Sequence, residues 1–142
     1  MVISQAKSIR FATYVWAVLA VTLLVILWGA VVRATGSGAG CGAHWPLCNG
    51  EVIPQSPVPT IATIIEFVHR LSSGLILVLI VGMVIASRRM FAQGHPVRKA
   101  ALITLGFIVL ESLIGMLIVV QSLTAKNDSA ARAAIIAALK TT

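Results

Sequence analysis

The sequence predicts an all-α integral membrane protein, a transmembrane helix bundle with three full spans, the start of a fourth, and a long extracytoplasmic loop between spans 1 and 2. Three observations predict it. Of the 142 residues, 58% are hydrophobic and only 11% are charged, and the mean hydropathy of +1.00 lies far outside the range of soluble domains. The apolar residues form runs long enough to cross a ~30 Å hydrocarbon core. The basic residues behind the +7 formal charge flank those runs, where they orient a membrane protein, so nucleic-acid binding is excluded.

Span 1 is expected over residues 11–32, behind Lys7 and Arg10. It is too long for a signal peptide's apolar region, and Arg33-Ala-Thr-Gly after it makes a poor cleavage site. Tyr14, Trp16 and Trp28 near its ends fit interfacial aromatic belts.

The loop after Arg33 is rich in Gly, and Pro54, Pro57 and Pro59 rule out a continued helix. Trp45, Leu47, Val52 and Ile53 suit a segment folded back over the bundle. Cys41 and Cys48, the chain's two cysteines, both fall here. Their C-x6-C spacing matches neither a c-type haem attachment motif nor a structural zinc site. A disulfide is the economical expectation on an oxidising side of the membrane, and a reversible redox pair is the alternative. Lys7, Arg10, Arg88, Arg89, Arg98 and Lys99 flank one side, against Arg33, Lys126 and Arg132 on the other. This bias predicts a cytoplasmic N-terminus and an external cysteine loop.

Span 2, residues 61–86, carries Glu66, His69 and Arg70 in an otherwise apolar run. A charge at membrane depth costs roughly 2.5–3.5 kcal/mol on insertion scales, so such residues mark a protein-facing site. At ~1.5 Å per residue Glu66 lies about 7 Å and His69 about 12 Å below the start of the run, in the outer third of the membrane. The i, i+3 and i, i+4 spacings put all three on one flank. One reading is a Glu66–Arg70 ion pair with His69 bonded to a neighbouring helix. The other is His69 as a ligand to haem iron, with Glu66 in proton chemistry and Arg70 as a cofactor-binding cation. Ser72, Ser73 and Gly74 below provide helix contacts or room for a macrocycle.

His95, in the turn between Arg88-Arg89 and Arg98-Lys99, reads as solvated and inert. Span 3, residues 100–123, places Glu111 near mid-membrane, as a functional candidate or a structural carboxyl bonded between helices. Asp128 or Ser129 is a credible N-cap for a partial fourth helix over 129–142, too short to span. The whole, 1–142, reads as one transmembrane domain.

Three motifs in order, Gly29-Ala-Val-Val-Arg33-Ala-Thr-Gly-Ser-Gly, Cys41-Gly-Ala-His-Trp-Pro-Leu-Cys48-Asn-Gly and Glu66-Phe-Val-His69-Arg-Leu-Ser-Ser-Gly, resemble the N-terminal half of the haem A synthase family over residues 11–139. The resemblance implies a multi-pass enzyme of the bacterial cell membrane or mitochondrial inner membrane that oxidises a methyl group of haem O to the formyl group of haem A for cytochrome oxidase. It implies two four-helix halves, each with a pair of histidines, one serving substrate haem O and the other a haem b cofactor. Matched by position, His69 is a haem ligand, Glu66 the carboxylate important for activity, and Cys41 and Cys48 the external cysteine pair. Arg33 is added as a propionate partner because guanidinium pairs well with carboxylates. Two departures stand out: no histidine follows in 137–142, and no second half is present. The expectation is a truncated or fragmentary member, a subunit that pairs with itself or a second half-chain, or a degenerate copy. Haem O synthase, cytochrome oxidase assembly factors and membrane lipid are the further expected partners. A non-catalytic haem-binding or assembly subunit and an extracytoplasmic thiol–disulfide protein are the alternatives.

Overall fold

The computed structural model describes residues 5–42, 44–55 and 59–140, with backbone alone for 122–127 and 130–140. Pro57 and the last two residues of the expected fourth helix lie outside the described residues. Three α-helices follow in order: α1 (Gln5–Ala34), α2 (Ile61–Met90) and α3 (Pro96–Lys140), with a 3-10 turn at Ser37–Ala39. Each of Gln5–Ala34, Ile61–Met90 and Pro96–Gln121 is long and apolar enough to cross a membrane. No strand interrupts this all-α arrangement among the described residues.

Helix α2 is the centre of the bundle, and its sequence shows why. Its buried residues fall in two groups, Thr63 and Glu66 near the start and Ile76, Ile80, Met83, Val84 and Ser87 below, and their mostly three- and four-residue steps put them on one side of the helix. Val18 of α1 and Ala101 of α3 close on the lower group, with Ile76, Ile80, Met83 and Val84. The outer faces of α1 and α3 leave Trp16, Leu24, Leu27, Phe107 and Leu117 exposed, as a lipid-facing surface requires.

Apolar burial gives little drive between helices in lipid, so close packing and interhelical hydrogen bonds hold them together. Tyr14 Oη donates to the Leu79 carbonyl at 2.6 Å, and Trp28 Nε1 to the Ile65 carbonyl at 3.2 Å. These two aromatics therefore tie α1 to α2 rather than serving only as interfacial anchors. Gly82 admits the tyrosine, since a Cβ there would lie 3.1 Å from its hydroxyl.

The ends of the helices follow local chemistry. Thr60 caps α2, its hydroxyl accepting from the Thr63 N–H at 3.2 Å. His95 Nδ1 accepts from the Val97 N–H at 3.3 Å, and its ring stacks on Phe91 with centroids 4.6 Å apart. With Pro96 at the first helical position, His95 is the structural start of α3, and it is half-buried rather than solvated.

The expected break between residues 123 and 129 is absent. Helix α3 runs unbroken from Pro96 to Lys140, so the residues expected to start a fourth helix continue the third. The segment Thr124-Ala-Lys-Asn-Asp-Ser-Ala-Ala contains neither Gly nor Pro, and its alanines and lysine favour helix. Asp128 and Ser129 thus lie inside a helix, where nothing forces a turn.

Candidate functional site

The candidate site is built where the loop after α1 closes over the first turns of α2. Gly40 permits the approach: a Cβ there would fall 2.5 Å from the Ala62 carbonyl carbon and oxygen. Thr63, buried at the same contact, donates its hydroxyl to the Gly40 carbonyl at 3.0 Å. Cys41 and Cys48 are buried, at 0% and 2% exposure, with sulfurs at disulfide-bonding distance and Cα atoms 4.3 Å apart. Cys48 and Glu51 exchange backbone hydrogen bonds across Asn49-Gly50, whose φ values of 55° and 86° make the primed turn that Asn-Gly favours.

Glu66 is the point on which this loop rests. It is 3% exposed, and its Oε2 accepts from the Cys41 backbone N–H at 2.8 Å. Its Oε1 accepts from Arg70 Nε at 3.0 Å and Nη2 at 2.6 Å. Arg70 also donates from Nη1 to the carbonyls of Leu47 at 2.6 Å and His44 at 3.3 Å. The guanidinium thus spans carboxylate and loop, and all three of its nitrogens are engaged. The carboxylate is satisfied by charge-assisted bonds on both oxygens, the condition under which a buried ion pair is tolerated.

His69 faces elsewhere. It shares no hydrogen bond with Glu66, and its buried Nδ1 has no hydrogen-bond partner. The ring packs against Gly29 of α1, where a Cβ would lie 3.0 Å from Cε1 and 3.4 Å from Nε2. Glu66, Glu111 and Arg70 are the charged groups whose fields reach it. Arg33, four residues beyond Gly29 and so on the same flank of α1, is exposed and lies outside the one ion pair, Glu66–Arg70, among the described residues. No cluster of three His, Cys, Asp or Glu side chains that could hold a bare metal ion occurs among the described residues. A metal brought in by a macrocycle needs only one protein ligand, and an imidazole with uncommitted nitrogens can give it.

Sequence reasoning located Glu66, His69, Arg70, Arg33 and the cysteines. The structure brings the first, the third and the cysteine loop together as one unit, sets His69 apart against Gly29 of α1, and leaves Arg33 exposed and joined to neither. It adds Gly29, Gly40, Thr63 and the Cys41 N–H, which act through backbone and small-residue contacts that no side-chain motif announces.

A family model, COX15-CtaA, described as cytochrome oxidase assembly protein, matches residues 12–138. The chain belongs to that family. Among its relatives are two proteins named heme A synthase, from Shouchella clausii at 45% identity over 93 residues and from Bacillus cereus at 41% over 98. These matches cover 66% and 69% of this chain but 30% and 31% of the relatives. A protein of Thermus thermophilus named protoheme IX farnesyltransferase is 51% identical over 126 residues, 89% of this chain and 20% of its own length. The chain therefore spans about a fifth to a third of the curated relatives it matches. No solved structure matches it. Family membership agrees with the haem A synthase resemblance of the motifs, and the described site lies within the matched segment.

Proposed function

We propose that the chain acts in haem A biosynthesis as a haem A synthase-type unit, holding haem O, or a haem b cofactor, through His69 for oxidation of the haem O methyl group. The observation that carries this is the His69 ring, packed on Gly29 with its nitrogens uncommitted, inside a family whose relatives are named for heme A synthesis. Haem iron supplies the redox chemistry when bound. The chain's own residues would do the rest: His69 would give the iron a nitrogen ligand, Gly29 keeps α1 close against the ring, and Arg33 would pair with a propionate at the membrane edge.

Glu66 enters the proposal as a positioning residue. With Oε1 on Arg70 and Oε2 on the Cys41 N–H, it fastens the external loop over the site, and Arg70 holds the same loop through His44 and Leu47. Activity depends on Glu66 in this reading because loop and haem pocket share α2. The Cys41–Cys48 pair acts as a structural disulfide: thiol exchange needs an accessible sulfur, and both sulfurs are buried, which disfavours the thiol–disulfide reading.

Lys7, Arg10, Arg88, Arg89 and Lys99 are exposed at one end of the bundle, away from the cysteine loop. That asymmetry supports a multi-pass cell (inner) membrane protein with its N-terminus in the cytoplasm. The Thermus relative's name supports haem O synthase as a partner, and the family description supports cytochrome oxidase assembly factors.

The test is to express the chain in cells that make haem O but lack their own synthase, then record the Soret band of the purified protein and chromatograph its haems. His69→Ala is expected to abolish the Soret band and His95→Ala to keep it. An unchanged spectrum in His69→Ala overturns the assignment. Haem binding without any haem A would favour the non-catalytic haem-binding or assembly reading.

A further inference from the structure

Below His69 a cleft of about 290 Å³ lies along α2 between α1 and α3, open on its outer side. Its walls are Val18 and Leu19 of α1, Ile80 and Met83 of α2, and Phe107 and Ile108 of α3, and its polar side chains are Thr22, Thr104 and Glu111. Both threonines donate to their own helices, Thr22 to the Val18 carbonyl at 2.7 Å and Thr104 to the Ala100 carbonyl at 3.0 Å. Glu111 makes no hydrogen bond or ion pair among the described residues. It is the one uncommitted polar group of an apolar cleft, exposed on the cleft's open side at a depth where an unpartnered carboxyl marks a site.

We propose that this cleft takes the isoprenoid tail of haem O, with Glu111 accepting a hydrogen bond from the hydroxyl on the tail's first carbon. The proposal rests on haem binding at His69. Three features point to this occupant. The volume is at the lower edge of the roughly 300–1,000 Å³ of small-molecule pockets, so it suits a slender chain and not the macrocycle. The offset is right as well: Thr22 at the cleft's upper edge precedes Gly29, which touches His69, by seven residues, about 10 Å along α1. Much of that distance is covered by the radius of a macrocycle ligated at His69, and from Thr22 the cleft runs a further seven residues to Val15, again about 10 Å. Polarity also changes in the right order. With propionates at Arg33, the tail leaves the opposite side of the ring, meets the Glu111 carboxyl where it bears its hydroxyl, and is apolar thereafter. Haem B carries a vinyl group at that position, with neither hydroxyl nor chain, so the cleft would select the prenylated haem.

The experiment titrates the purified full chain in detergent with haem O and separately with haem B, following the Soret band. Wild type is expected to prefer haem O by ten-fold or more. Glu111→Ala should lower haem O affinity about five-fold, the loss of one hydrogen bond, and leave haem B unchanged. Leu19→Trp, which fills the cleft from a partly lipid-exposed position, should lower haem O affinity further while haem B binding attests the fold. Equal affinity of wild type for the two haems, or a preference for haem O that survives both variants, overturns the tail site while leaving His69 ligation intact. Failure of either haem to bind wild type overturns the haem-binding reading itself, and the tail site with it.

Discussion

Separating Glu66 from Arg70 is expected to release the external loop before it unfolds the bundle. Glu66→Gln removes the charge but keeps the shape, leaving Arg70 with a neutral partner at Oε1 and two loop carbonyls. Breaking a buried pair by removing one member costs about 3–5 kcal/mol. The Arg70 side chain retains 12% exposure and Glu66 4%, so the lower end, about 3 kcal/mol, is expected for Glu66→Gln. Arg70→Gln should cost at least as much, because it strands a more deeply buried carboxylate and frees the Leu47 and His44 carbonyls as well. In the double variant no charge is left buried, so its cost should fall short of the sum by about 1–3 kcal/mol, the range for groups in direct contact. The assay has two arms: reversible unfolding in mixed micelles for the cycle, and the rate at which a membrane-impermeant reductant and alkylating reagent label Cys41 and Cys48. Both single variants should speed labelling, because the Cys41 N–H is bonded to Glu66. Additive costs together with unchanged labelling would refute the reasoning, since they would mean that the pair neither couples nor holds the loop.

Three further outcomes follow from the same contacts. Gly40→Ala should destabilise by about 1–3 kcal/mol, as overpacking does, because its Cβ would sit 2.5 Å from backbone of Ala62; an unfolding midpoint equal to wild type would show that the loop does not bear on α2. Tyr14→Phe should cost about 1 kcal/mol through loss of the bond to the Leu79 carbonyl, measured by the same unfolding assay, with no change in thiol labelling because the contact lies in the other half of α2 from the loop. In intact cells or spheroplasts, Cys41 and Cys48 should resist an impermeant thiol reagent until reduced and then react, whereas a cysteine introduced at Gln93 should stay unlabelled; ready labelling of both native cysteines without reductant would contradict the disulfide and its external placement.

Much of this arrangement was legible because membrane chemistry leaves few options. Runs of apolar residues bounded by Arg and Lys gave the three spans, and the structure extends the first two by short segments at their ends, as at Gln5–Arg10 and Ser87–Met90. The i, i+4 spacing of Glu66 and Arg70 made their pairing readable, and the pair forms. What spacing did not disclose was the carboxylate's second partner, a backbone N–H 25 positions away, because backbone donors carry no residue identity. The expected turn at 124–129 failed for a related reason. A polar stretch in a membrane sequence suggests a loop, yet Thr-Ala-Lys-Asn-Asp-Ser has no helix breaker, and the end of the apolar run marks where the membrane stops and not where the helix does. His95 was misjudged because a turn histidine was set against bulk water, whereas Gly94 and Pro96 place its ring on Phe91 and its Nδ1 at the helix start.

The division of labour between Glu66 and His69 follows from their three-residue separation. Three residues turn the helix by about 300°, so the two side chains diverge by about 60°: one points under the loop, the other across to α1. Had they shared a hydrogen bond, the carboxylate would have fixed the imidazole tautomer, as such partners do for metal-bound histidines. Here Arg70 and the Cys41 N–H take both carboxylate oxygens, and Nδ1 of His69 is left without a protein acceptor. A histidine without that support is held by packing alone, and Gly29 is the packing surface. Enlarging Gly29 should therefore disturb the proposed haem ligation more than neutralising Glu66 does. With Gly29→Val the Cβ would fall 3.0 Å from Cε1 and two methyls would add bulk beside it, so the ring must rotate or α1 must withdraw. The expected result is a weakened or shifted Soret band in Gly29→Val with thiol labelling unchanged, against faster labelling and a nearly normal Soret band in Glu66→Gln. The reverse pattern would place the carboxylate, and not the glycine, in direct control of the imidazole.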